Sequence, residues 1–172
     1  MLPGHLDLTL GEPPKALRMP AEPILRTAEI SECTGYRWLL HRAWGKGPHI
    51  AWAMCNPSVA AGLFDDPTLK RITGYSFRWG YGSLVVGNIY PYRSPSPKEL
   101  HRWRESLGGE SWKHLDFHFN ALKVAEAFKA CEFHMAAWGN EPEQGDVEFW
   151  RGMVEGQSDP AMLYGPAAVG TG

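Results

Sequence analysis

Cysteine is scarce, long apolar runs are missing and net charge is close to zero, and each absence excludes a class of protein. The three cysteines, Cys33, Cys55 and Cys131, are odd in number and widely spaced, with no CxxC pair. That pattern indicates neither a disulfide framework nor a zinc site, and it fits a reducing cytoplasm. No stretch approaches the roughly 20 consecutive apolar residues that a membrane helix needs. Residues 1–23 hold five prolines and no apolar core behind a basic start, so they read as an irregular N-terminal arm and not as a signal peptide. A formal net charge of −2 gives no bulk basicity that would advertise nucleic-acid binding. The GxSxG elbow, the GxxxxGK[ST] phosphate loop and the GxGxxG dinucleotide fingerprint are all missing, which removes the usual serine-hydrolase and phosphate-cradle chemistries.

What is present describes an ordinary globular domain. A hydrophobic fraction of 44% and a charged fraction of 21% are typical of soluble domains, and residues 24–172 suffice for one α/β domain with a sizeable core. Eight tryptophans and six tyrosines point to an aromatic-rich core or to a surface that stacks on a ligand. The basic residues Lys70, Arg71, Arg78, Arg93, Lys98, Arg102 and Arg104 crowd the middle of the chain, whereas acidic residues crowd its end. A local basic face is therefore expected despite the acidic total.

Strand and helix patterns alternate. Residues 25–30 and 37–41 read as a hairpin, and residues 50–55 form a continuous apolar run of buried-strand type. Asp65-Asp66-Pro67-Thr68 looks like a helix start, since a carboxylate caps free amides and proline suits the first turn. Leu69, Ile72, Tyr75, Ser76 and Trp79 follow at helical spacing up to Gly80 and Gly82. Residues 84–87 form a second buried strand, and residues 98–106 a short helix. Residues 111–131 form the longest helical pattern, residues 133–138 a third strand, residues 146–154 a helix, and residues 162–164 a fourth strand. The alternation predicts a three-layer α/β/α sandwich with a mostly parallel central sheet and right-handed crossovers.

Both central strands end in an asparagine, Asn56 and Asn88. In open α/β sheets the carboxyl edge is where ligands bind, and a carboxamide offers both donors and an acceptor to a nucleobase edge or to a water. Pro57 biases Asn56 to an extended backbone that aims its side chain across the strand ends. Asp65 and Asp66 are the nearest carboxylates in sequence. Tyr90, Tyr92 and Arg93, just beyond Asn88, are placed to stack on a base and contact a phosphate. The plainer alternative is that each asparagine satisfies loop backbone. His114 and His118, four apart on a predicted helix, could share a cation, although such pairs are usually solvated surface.

Two resemblances bear on these residues. A YxxLLxRxW strand (residues 36–44), an MxNPS corner (54–58), a DPTLxR helix start (66–71), a WGYG step (79–82), a VxN strand end (86–88) and an AWG strand end (137–139) resemble a family known only as domain of unknown function 1643. The CNPS corner, with the later strand end Asn-Ile-Tyr-Pro-Tyr-Arg-Ser-Pro-Ser-Pro (88–97), is similar to the uracil-DNA glycosylase superfamily, especially its mismatch-specific thymine/uracil branch. That second likeness implies a uracil-DNA-glycosylase-like fold and hydrolysis of an N-glycosidic bond in DNA. It implies a catalytic Asn56 that positions water, with Asp66 beside it, and a base pocket of Pro57, Ser58, Asn88, Tyr90, Tyr92 and Arg93. Lys70, Arg71, Arg78 and Lys98 would then contact the DNA backbone. Such chemistry needs a dry pocket and a positioned water, but no metal and no cofactor. Members of that superfamily usually carry a late loop beginning His-Pro; the only late histidine here, His134, lies in a predicted strand. A non-catalytic module that binds nucleotide, nucleic acid or protein on the same fold, and a different small-molecule enzyme at the same edge, are the alternatives.

Overall fold

The computed structural model describes residues 25–58, 64–94 and 96–155. The N-terminal arm (1–23) and the fourth strand expected at 162–164 lie outside the described residues. Five strands and four α-helices follow one another as β1 (Leu25–Ile30), β2 (Arg37–Ala43), β3 (His49–Met54), α1 (Pro67–Arg78), β4 (Ser83–Asn88), α2 (Pro97–Ser106), α3 (Leu115–Phe128), β5 (Phe133–Ala136) and α4 (Gln144–Glu155). None of the described helices is long and apolar enough to cross a membrane.

The strands form one open sheet of order β1-β2-β4-β3-β5. Pairing is antiparallel for β1·β2 and β2·β4, and parallel for β3·β4 and β3·β5. The expected mostly parallel sheet is thus corrected to a mixed one. The expectation rests on the continuous apolar runs of β3 and β4, which do pair in parallel; β2, the second strand of the hairpin, adds an antiparallel neighbour to β4 as well as to β1. Its turn also holds a different partner. The amides of Trp44 and Gly45 donate to the Gly82 carbonyl, and the Gly82 amide donates to Pro48, so β4 inserts between β2 and β3.

Helices cover both faces of the sheet. On one face Ile50, Trp52, Leu84, Val86 and Leu40 pack against Leu69 and Ile72 of α1. On the other, Ala51, Ala53, Val85 and Leu39 meet Phe117, Ala121, Val124 and Phe128 of α3, with Trp150 and Val154 of α4 behind them. Each Leu, Ile, Val or Phe buried this way contributes about 1.5–3 kcal/mol. The strands place small residues towards α3 and large ones towards α1, so α3 lies close to the backbone of β4.

The helix start of α1 follows its sequence signal. Asp66 is the N-cap, its side chain accepting from the Leu69 amide at 2.7 Å, and Pro67 opens the first turn. At the other end Gly80 has φ +87°, Gly80 N–H donates to Phe77 and Tyr81 N–H to Ser76. These are the two bonds of a Schellman close, which needs a left-handed residue. Ser76 is tolerated inside the helix because its hydroxyl donates to the Ile72 carbonyl and accepts from Trp52 Nε1.

The long helical pattern at 111–131 is broken. Residues Ser111–Lys113 form one 3-10 turn, and α3 starts only after His114, whose ψ of 140° is extended. Asp146 accepts from the Trp112 amide, which ties the turn to α4 and leaves no continuous helix.

The close approach of α3 to β4 gives a test. A Cβ at Gly87 would lie 2.5 Å from Val124 Cγ1 and 2.7 Å from Cγ2, and valine has little rotamer freedom in a helix. Gly87→Ala is expected to destabilise by about 1–3 kcal/mol in urea unfolding; unchanged stability would show that α3 does not sit against the strand.

Candidate functional site

Strands β3 and β4 are parallel neighbours whose connections depart to opposite faces, β3 to α1 and β4 to the side of α2 and α3. That arrangement is a topological switch point, where a crevice opens beyond the carboxyl ends. Hydrogen bonding continues past the strands: Ile89 N–H donates to Met54, Tyr90 N–H to Cys55 and Ser94 N–H to Pro57. The two loops therefore run side by side and wall a cleft of about 200 Å³. Sites for drug-sized ligands run to about 300–1,000 Å³, so this cleft suits a small molecule or one part of a larger one.

Asn56 and Asn88 both line that cleft, as do Ser58, Asp66 and Arg37. Asn88 is fully buried, and neither its Nδ2 nor its Oδ1 has a hydrogen-bond partner. Its backbone carbonyl is held by Asn120 Nδ2 at 2.7 Å, which fixes the strand end while leaving the side chain free. Asn56 donates one amide hydrogen to the Pro57 carbonyl at 3.2 Å. Ser58 donates to Asp66 Oδ2 at 2.7 Å, and Asp66 Oδ1 accepts from Leu69. Asp66 is thus a helix cap braced by Ser58 at the rim of the cleft. Pro57 is buried and its carbonyl joins the two loops.

Asp65 has a separate task. Its Oδ1 accepts from Nε and Nη2 of Arg42 at 2.9 and 2.8 Å, and Arg42 is completely buried. The buried charge of β2 is therefore neutralised from the segment that leads into α1.

Three expected residues stand elsewhere. Tyr90 is fully buried, donating its hydroxyl to Asp146 Oδ2 at 2.8 Å and accepting from the Glu143 amide. Burial, with the Asp146 carboxylate beside it, raises its pKa well above the ordinary tyrosine value. Tyr92 lies flat on Trp103, ring centroids 5.1 Å apart, and Arg93 Nη1 donates to the Thr34 carbonyl. These side chains support the α2 side of the loop, and no aromatic ring lines the cleft among the described residues. The sequence could not reveal this, because which side of the loop a tyrosine takes depends on α2 and α4, far along the chain.

The four expected backbone-contacting cations are all exposed. Lys70 and Lys98 each follow a cleft-lining residue, Leu69 and Pro97. Arg71 is one residue further along α1, and Arg78 lies at its far end, roughly 15 Å away at 1.5 Å per residue. Arg78 also covers the ring of Tyr75 at 5.0 Å. The histidine pair does not converge on a cation: His114 Nε2 bonds the Leu107 carbonyl and His118 Nε2 that of Trp112. His134 is buried in β5 against the Phe128 carbonyl.

Arg37 is the residue that sequence reasoning missed. The β1·β2 register slips by one residue between Glu29 and Ile30, so Trp38 is an extra residue in β2. Such a bulge resets the alternation of side chains. Trp38 and Leu39 both join the α3 face, and Arg37 is turned into the cleft beside Leu40. It is 6% exposed, and burial lowers its pKa to about 10. The only signal in the sequence was a charged residue directly before the apolar Trp38-Leu39-Leu40 of β2.

The Arg42–Asp65 pair is testable independently of any ligand. Asp65→Ala leaves a buried guanidinium without its carboxylate and is expected to cost about 3–5 kcal/mol in chemical denaturation. A loss below about 1 kcal/mol would mean the pair is not held together in solution.

The family model described as "Protein of unknown function (DUF1643)" matches residues 37–155, a span that runs from β2 to α4 and includes every residue named at the cleft. No curated protein and no solved structure matches the chain.

Proposed function

The chain belongs to the DUF1643 family, and we propose that its strand-end cleft is a nucleobase pocket of a DNA base glycosylase-like hydrolase. One observation carries this reading: the Asn88 carboxamide is wholly buried, unpartnered and faces the same cleft as Asn56. An unsatisfied buried amide costs about 1–3 kcal/mol, and a ligand with adjacent donor and acceptor atoms removes that cost. The imide edge of a pyrimidine has this pattern. The parallel pair β3·β4 and the helices on both faces support this reading, in a sheet that is antiparallel at β1·β2 and β2·β4.

In the reaction, an extruded base enters the cleft and its edge pairs with Asn88. Asn56, on the adjacent loop, holds a water against the sugar carbon. The Asp66 carboxylate supplies negative charge as the sugar becomes cationic, and Ser58 keeps that carboxylate oriented. The N-glycosidic bond breaks with its electrons leaving on the base as an anion, and the water oxygen bonds to the sugar carbon and gives up one proton, which ends on the departed base. Lys70 and Lys98, nearest the mouth, contact the strand's phosphates, with Arg71 and Arg78 further out.

A second reading is favoured by two observations. Both oxygens of Asp66 are already hydrogen-bonded, and Tyr90 and Tyr92 stack elsewhere. These suit a module that binds a base, a nucleotide or a partner protein without cleaving.

Single- and double-stranded DNAs bearing uracil, mismatched thymine, hydroxymethylated or glucosylated pyrimidines separate the two. The hydrolase reading expects abasic sites on at least one substrate, with Asn56→Ala slowing their formation by about 10²–10³-fold. Binding without abasic sites, lost in Asn88→Ala, selects the binding module. Neither cleavage nor binding of any substrate would refute the nucleobase pocket.

A further inference from the structure

The cleft contains a buried cation that no side chain among the described residues meets directly. Arg37 is 6% exposed, its Nε is enclosed without a partner, and its guanidinium makes no hydrogen bond or ion pair with any described residue. The other buried arginine of the same strand, Arg42, has Asp65 at 2.8 Å. Among the described residues Asp66 is the one carboxylate lining the cleft, and its two oxygens bond the Leu69 amide and the Ser58 hydroxyl instead. It attracts Arg37 through space, while Arg93 and Arg42 repel it.

The surroundings add to the positive potential. Two helices start at the cleft, the 12-residue α1 at Asp66 and the 10-residue α2 at Ser96, whose hydroxyl caps Glu99 N–H. Helix N-termini favour anions. A neutral base would use Asn88 and leave the guanidinium unanswered, and burying an unanswered charge is costly. A phosphate, by contrast, matches the planar fork of arginine with two parallel hydrogen bonds. The bulge at Trp38 puts both Trp38 and Leu39 on the α3 face and, by the same step, turns Arg37 into the cleft.

We propose that Arg37 anchors an anion subsite and that the natural occupant of the cleft is a nucleotide carrying its phosphate, not a bare nucleobase. This rests on the nucleobase reading for the part of the ligand that Asn88 meets. The phosphate has two sources, a free nucleoside monophosphate or a phosphodiester within a DNA strand.

Calorimetric titration of the full chain tests this with four probes: deoxynucleoside monophosphates, the matching nucleosides, short single-stranded oligonucleotides and inorganic phosphate. A phosphate-bearing probe is expected to bind at least tenfold more tightly than its nucleoside. Arg37→Met should abolish that difference while nucleoside affinity persists, and Arg37→Lys should restore part of it. Free monophosphates binding as tightly as oligonucleotides identifies the free nucleotide as the source; binding by oligonucleotides alone identifies the strand. Equal affinity of wild-type protein for nucleoside and nucleotide overturns the proposal, whatever the variants do. A phosphate preference that survives in Arg37→Met overturns it as well. Arg37-dependent binding of inorganic phosphate, with no discrimination among bases, would keep the anion subsite and defeat the nucleobase reading; Asn88-dependent nucleoside binding with no gain from phosphate would do the reverse.

Discussion

The site depends on the parallel pairing of β3 with β4 and on its continuation beyond the strands. Six residue pairs from His49↔Ser83 to Met54↔Asn88 set the register, and the amides of Ile89, Tyr90 and Ser94 then bond the opposite loop. A slip of one residue would send Asn88 to the α3 face, where Val124 and Phe128 press against Gly87. Hydrophobic contacts on both faces oppose that slip. The registration that builds the core is therefore also the one that brings Asn56 and Asn88 to one cleft.

Around that frame the protein treats its polar groups in two ways. Arg42 with Asp65, Asp66 with Leu69 and Ser58, Tyr90 with Asp146, and Trp52 with Ser76 are each satisfied internally. Asn88 and Arg37 are buried to a similar degree and are not. Buried polar groups in folded proteins are nearly always partnered. Other buried atoms also lack partners, among them Ser111 Oγ and Trp150 Nε1 away from the cleft; what distinguishes Asn88 and Arg37 is that both line one cleft at a switch point of the sheet, which a ligand accounts for.

Much of the architecture was legible in the chain, and the failures have physical causes. The cap Asp66-Pro67, the stop at Gly80 and the apolar runs of β3 and β4 are local signals, and they located α1 and both strand ends. The antiparallel hairpin of β1 with β2 was legible; the pairing of β2 with β4 was not, because it joins strands far apart in the chain and nothing local encodes it. The candidate site was half visible. Asn56, Ser58, Asp66 and Asn88 were found because strand ends are local features. Tyr90 and Tyr92 were misplaced because Asp146 and Trp103 claim them from other helices. Arg37 was missed because a one-residue bulge between β1 and β2 decides its face.

The central claim is that the protein holds an unpartnered carboxamide in its interior for a ligand, at the expense of its own stability. The most direct measurement is the unfolding free energy of ligand-free Asn88→Leu against wild type, since leucine has the same branched four-atom side-chain skeleton without polar atoms and the cleft beside it leaves room for its larger methyl groups. The account predicts a variant more stable by roughly 1–3 kcal/mol, the desolvation cost removed. A variant less stable than wild type would contradict it, because Asn88 would then be a structural residue whose bonds hold the fold.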